Sequence, residues 1–125
     1  MRGRGRFTRR AGLAFAAALL ATPALAHSTL RRASPAEGSR ARGPVTEIRL
    51  TFSQGVEAAL STATLTRDGQ KMFENRAFEA APNDGAVLLL RLPEALAPGS
   101  YRLDWRAMSI DTHMVQGRLG FAVAP

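Results

Sequence analysis

The chain has 125 residues, no cysteine and a formal charge of +7. That length suggests a single domain, and the missing thiols exclude disulfides, thiolate metal sites and thiol catalysis. The charge invites a nucleic-acid reading only until its distribution is read: Arg2, Arg4, Arg6, Arg9 and Arg10 crowd the first ten residues, and residues 27–125 keep 12 Lys+Arg against all 10 Asp+Glu, a side-chain net of +2. Binding to nucleic acid loses its electrostatic basis there.

The basic start runs into an apolar stretch, Ala11 to Leu20, and then Pro23 and Ala24-Leu25-Ala26. A positive leader, a short apolar core and an A-x-A site predict a secretory signal peptide over residues 1–26, cleaved after Ala26. The apolar stretch is too short to span a bilayer, and no later segment reaches the required length. Thr8-Arg9-Arg10 also faintly resembles a twin-arginine signal. Residues 27–125 then form the one folded domain.

A short strand is expected over His27–Arg32, followed by a turn across Ala33–Ser39. Thr46–Phe52 alternates with Ile48, Leu50 and Phe52 on one side, and Ser53-Gln54-Gly55 breaks it. Val56–Thr66, rich in Ala and Thr, reads as a strand or a poor helix, with Thr62, Thr64 and Thr66 favouring strand, and Asp68-Gly69 turns it into another strand near Met72–Phe78. Pro82–Gly85 is a turn, Val87–Leu90 a buried strand, and Pro98-Gly99 a further turn. From Tyr101 the alternation is strict, with Tyr101, Leu103, Trp105 and Ala107 on one side and Arg102, Asp104, Arg106 and Met108 on the other. Gly117–Val123 closes the chain with Leu119, Phe121 and Val123 inward. About seven short strands and no helix predict an antiparallel β-sandwich or Greek-key barrel.

Only two histidines are present, His27 and His113. In Asp111-Thr112-His113, a still-extended chain would project the carboxylate and the imidazole the same way, about 6.5–7 Å apart. They could then share a metal ion or form a hydrogen-bonded surface pair. His27 would be the first residue after cleavage, where its α-amine and imidazole can close a chelate ring; a solvated terminus is the alternative. Together the four donors make an N,N,N,O set, which suits the tetragonal preference of Cu(II). Arg102 and Arg106 read as solvated outer charges or as contacts to a partner. Nucleophilic catalysis has no G-x-S-x-G and no His–Ser spacing to support it.

From His27 onward the sequence resembles the CopC family of periplasmic copper-binding proteins. The resemblance is carried by His27 with Leu30, Ser34-Pro35-Ala36-Glu37-Gly38, Leu50-Thr51-Phe52-Ser53 and Pro98-Gly99-Ser100-Tyr101. It continues through Asp104-Trp105-Arg106-Ala107, Ser109, Asp111-Thr112-His113, Gly117 and Phe121. It implies a cupredoxin-like, Ig-like Greek-key barrel that binds Cu(II) through His27, Asp111 and His113. A periplasmic location, a carrier or buffer role in copper homeostasis or resistance, and an inner-membrane partner of the CopD type are implied with it. The protein is expected to be a monomer and not an enzyme.

Two departures stand out. Gln54 occupies a position where the family commonly has Glu near the copper, so a neutral amide would stand beside the ion, with Glu57 as a speculative substitute. The mid-chain loop holds Met72 alone rather than a Met/His cluster, and Met108 and Met114 read as packing, so no Cu(I) site is expected. The alternative function is a redox enzyme with an N-terminal histidine brace, which would need open coordination positions and a broad substrate face. A plain β-sandwich adhesion or assembly module would bind no metal tightly.

Overall fold

A computed structural model of the chain describes residues 28–125. The predicted signal peptide and His27 lie outside the described residues.

Nine strands and no helix make up the described residues: β1 (Leu30–Ser34), β2 (Arg40–Ala41), β3 (Glu47–Phe52), β4 (Val56–Arg67), β5 (Gln70–Ala77), β6 (Glu79–Ala81), β7 (Asp84–Arg91), β8 (Gly99–Ser109) and β9 (Met114–Val123). They form two sheets, one in the order β1-β3-β7-β6 and the other β2-β9-β8-β4-β5. All neighbours are antiparallel except β2, which runs parallel to β9. No helix among the described residues is long and apolar enough to cross a membrane.

The expected all-β sandwich is therefore present, and the alternation sets its inner layer. Ile48, Leu50 and Phe52 of β3 and Leu88 and Leu90 of β7 face Ala63 and Leu65 of β4 and Tyr101, Leu103, Trp105 and Ala107 of β8, all buried. Trp105 is the pivot. Its ring meets Phe52 edge-on, with centroids 5.3 Å apart, and lies across its register partner Gly117. A Cβ on Gly117 would come within 2.6 Å of Trp105 Cζ2, so only glycine leaves room for the indole. Tyr101 stacks on Phe121 and donates its hydroxyl to the Ala97 carbonyl at 2.6 Å, and burial pushes its phenol pKa up.

The structure departs from the expected elements in four places. Strand β1 continues through Ala33 and Ser34, where the turn was expected to begin. Two very short strands, β2 and β6, appear in segments that read as connections. Strand β9 begins at Met114 rather than Gly117, so β8 and β9 form one long hairpin. In β4, residues 58–61 stand opposite Ala107 alone, an enlarged bulge. Buried Ser61 closes it, its hydroxyl donating to the Glu57 carbonyl at 2.8 Å and accepting from the Met108 N–H at 3.0 Å. The bulge turns Leu60 outward, where it is exposed.

Candidate metal centre

Strand β8 ends at Ser109, and the chain then turns rather than remaining extended. The Thr112 N–H donates to the Ser109 carbonyl at 2.9 Å, and the Ser109 N–H donates to the His113 carbonyl at 2.9 Å. Thr112 adopts a φ of +69°. This is a three-residue hairpin loop whose last residue is left-handed, a position that ordinarily takes glycine. A β-branched residue there is conformationally costly.

The turn, not the pleat of a strand, brings the predicted pair together. Asp111 Oδ1 lies 3.3 Å from His113 Nδ1 and accepts from the His113 backbone N–H, also at 3.3 Å. The 6.5–7 Å spacing expected of an extended chain therefore does not apply. Both side chains are exposed. The Ser109 hydroxyl is buried without a hydrogen-bond partner of good geometry, and it stands beside the Asp111 carboxyl. That hydroxyl above all, and then the His113 N–H and imidazole, holds Asp111 below the usual carboxylate range. The loop thus favours an ionised acid next to an imidazole, which is the protonation state a cation requires.

Gln54 and the start of the described chain lie at the same end of the sandwich. Ser28 is fully buried and donates its hydroxyl to the Gln54 carbonyl at 3.2 Å. The Thr29 N–H donates to Ser53 Oγ at 2.9 Å, and the Ser53 N–H returns to the Thr29 carbonyl at 2.8 Å. One residue beyond Gln54, the Gly55 carbonyl accepts from the Ile110 N–H at 3.1 Å, and Ile110 directly precedes Asp111. A chain of hydrogen bonds to backbone carbonyls thus runs from Ser28 through Gln54 and Gly55 to the Asp111 loop. In that chain Gln54 takes part through its carbonyl. Sequence reading did not single out Ser28 and placed Ser53 only in a strand break and a family motif; the Ser28–Thr29 and Ser53–Gln54 pairs carry no spacing that signals such a clasp.

Among the described residues, no three His, Cys, Asp or Glu side chains are grouped to hold a metal ion. The Asp111–His113 pair by itself therefore falls short of a complete metal site.

The CopC domain model matches residues 30–124. Copper resistance protein C of Xanthomonas campestris pv. juglandis is 38% identical over 113 residues, covering 86% of this chain and 88% of that protein. Protein YobA of Escherichia coli (strain K12) is 31% identical over 115 residues, 91% of this chain and 93% of that one. Among solved structures, CopC from Methylosinus trichosporium OB3b superposes with a TM-score of 0.71 at 33% identity, covering 79% of this chain and 95% of that chain. PcoC, a methionine-rich copper resistance protein from Escherichia coli, gives 0.64 at 33% identity, covering 78% and 99%. Agreement in sequence along almost the whole described chain, and in the two-sheet fold beneath it, makes this chain a member of the CopC family.

Proposed function

We propose that the protein is exported to the periplasm and binds one Cu(II) per chain there, as a carrier or buffer in copper homeostasis and resistance. The observation that carries this reading is the Asp111–His113 pair on the exposed β8–β9 loop, in a chain whose relatives include proteins named copper resistance protein C. An ionised carboxylate and an imidazole favour a divalent ion. The two further nitrogens that Cu(II) favours are assigned to the α-amine and imidazole of His27. Support comes from Ser28, the next residue, which is clasped to Gln54 at the same end of the sandwich as Asp111.

The donor set explains the choice of ion. Three nitrogens and one oxygen suit tetragonal Cu(II), and the Irving–Williams order places Cu(II) above Zn(II) at such a site. A free α-amine has a pKa of about 7.7–8.0, so its proton is displaced at small cost at neutral pH. Asp111 fills a coordination position that an oxygen-activating brace would leave open, so the reading is carriage rather than catalysis. Hand-over to an inner-membrane copper transport protein of the CopD type belongs to the same proposal.

The test compares residues 27–125 beginning at His27 with the same chain carrying one additional Ala before it. The extension keeps both imidazoles and turns the amine into an amide. The expected result is a large loss of Cu(II) affinity, comparable to His113→Ala, with unchanged stability of the metal-free protein. Equal Cu(II) affinity in the two chains, or Zn(II) held more tightly than Cu(II), would overturn the reading.

A further inference from the structure

The metal centre leaves unexplained the outward half of the Asp104-Trp105-Arg106-Ala107 run. Trp105 and Ala107 point into the core, whereas Asp104 and Arg106 point to solvent on the face of β8 that turns away from it. Register fixes their neighbours. Thr62, Arg106 and Gln116 form one row across β4, β8 and β9, and Thr64, Asp104 and Arg118 form the next. These side chains line a cleft of about 310 Å³ on the outer face of the five-stranded sheet.

The charges in the cleft are unequally satisfied. Asp104 is held from both sides, by Arg102 Nε at 3.0 Å and Arg118 Nε at 3.1 Å. One carboxylate therefore serves two guanidinium groups. The side chain of Arg106, exposed in the neighbouring row, has no hydrogen-bond or ion-pair partner among the described residues. The face thus carries a local excess of positive charge around a guanidinium whose planar fork is free to bind a carboxylate through two parallel bonds. Thr62, Thr64 and Gln116 add neutral hydrogen-bonding groups around it.

We propose that this cleft is a docking surface for an acidic segment of a partner protein, with an Asp or Glu side chain seated on Arg106. An anionic membrane fits less well. The exposed large apolar side chains Leu60, Met72, Ile110 and Met114 do not line the cleft, so it lacks apolar anchors. The central Asp104 would also repel a uniform sheet of phosphates, whereas an extended acidic segment can seat one carboxylate on Arg106 and turn the next side chain away from Asp104. Charge complementarity of this kind selects the partner and speeds encounter more than it adds affinity. The cleft includes neither Asp111 nor His113, so the proposal holds whether or not those residues bind copper.

The test titrates the isotopically labelled exported protein with a hexaglutamate peptide at constant, near-physiological ionic strength, following amide and arginine side-chain NMR signals. Hexalysine and phosphatidylglycerol vesicles are run in parallel, together with sedimentation of the protein alone. The expected result is saturable shifts centred on Arg106, Gln116 and Thr62. Arg106→Glu should weaken them about tenfold, the loss expected when a charge-assisted hydrogen bond is removed. Arg106→Gln should weaken them less, and both variants should keep the native spectrum elsewhere and unchanged Cu(II) affinity. Shifts scattered over the whole surface, or Arg106→Glu binding hexaglutamate as wild type does, would overturn the proposal. Vesicle binding without hexaglutamate binding would assign the face to membrane, and self-association abolished by Arg106→Glu would assign it to a second copy; either result would also overturn it.

Discussion

The two long hairpins of the five-stranded sheet end at opposite poles of the molecule, and they solve the same geometric problem differently. The β4–β5 hairpin turns through Asp68 and Gly69, with φ of +47° and +86°, residue types that accept the left-handed conformation readily. Asp68 secures it by accepting the Ser100 N–H at 2.9 Å. The β8–β9 hairpin instead puts Thr112 at φ +69° and fills its loop with a carboxylate and an imidazole that touch each other. One turn is built from residues the backbone prefers. The other accepts a local conformational cost and holds its shape through hydrogen bonds at Ser109 and His113. Strain of this kind persists where surrounding structure over-determines it, and it collects at functional positions.

The contrast is tested most severely by removing side chains from each turn. Asp111→Ala or His113→Ala should lower Cu(II) affinity by about a hundredfold or more, beyond the effect of losing a supporting contact alone. Asp68→Ala should leave copper binding untouched and cost about 1 kcal/mol of stability for its lost hydrogen bond. Competition titration and thermal unfolding of the variants separate the two outcomes. Equal copper loss at both turns would mean that global stability, not the loop, sets affinity.

Backbone variants sharpen the comparison. Gly69→Ala places a side chain at φ +86° and should destabilise the protein by about 1–2 kcal/mol. Thr112→Gly should do the opposite, raising apo stability by up to about 1 kcal/mol while loosening the loop and weakening Cu(II) binding severalfold. If affinity is unchanged in Thr112→Gly, the strained conformation does not position the donors.

A smaller effect is expected at Gln54. Gln54→Glu should tighten Cu(II) binding severalfold by adding a negative charge near the proposed ion. An unchanged affinity and EPR spectrum would place its side chain away from the metal.

The smallest effect concerns Ser109. The folded-state pKa of Asp111 is held below its ordinary 3.8 chiefly by the Ser109 hydroxyl. A depressed carboxyl contributes stability that is present above its unfolded pKa and is lost as pH falls through the folded value. Ser109→Ala should therefore raise the Asp111 pKa toward 3.8 and narrow that acidic window. A carbon-detected NMR titration of the Asp111 side chain checks this, and an unshifted midpoint would show that the hydroxyl is not the cause.

Most of the sandwich was legible because period-two alternation was strict where one face is buried. Ile48-Leu50-Phe52 and Tyr101-Leu103-Trp105 could satisfy their side chains in few other ways, and Asp68-Gly69 named its own turn. Strands β2 and β6, two and three residues long, show no period at all and exist through pairing with β9 and β7. The β4 bulge was hidden because Ala58, Ala59 and Leu60 include no Gly, Pro or Asn to mark a break, while its closing contact is a single buried serine. At the candidate site the pairing of Asp111 with His113 was readable, but its geometry was not. Sequence gives no warning that a threonine will take a position ordinarily left to glycine, and so the extended geometry was the natural expectation.

The clasp at Ser28 bears on the order in which the molecule assembles. The Asp111 loop closes between neighbouring strands of one hairpin, a local event of the microsecond class. Ser28 meets Gln54 across 26 residues of sequence, and the Gly55–Ile110 bond joins segments still further apart. Such closures are entropically costly and come after local ones. The surroundings of Asp111 are therefore complete only when the chain's first and last thirds have met. Any ion that requires both will bind the native state and not the nascent chain, and it will stabilise the fold by an amount that grows with the logarithm of its free concentration. Loading with metal would then serve as a checkpoint on folding, refusing cargo to chains that have not closed.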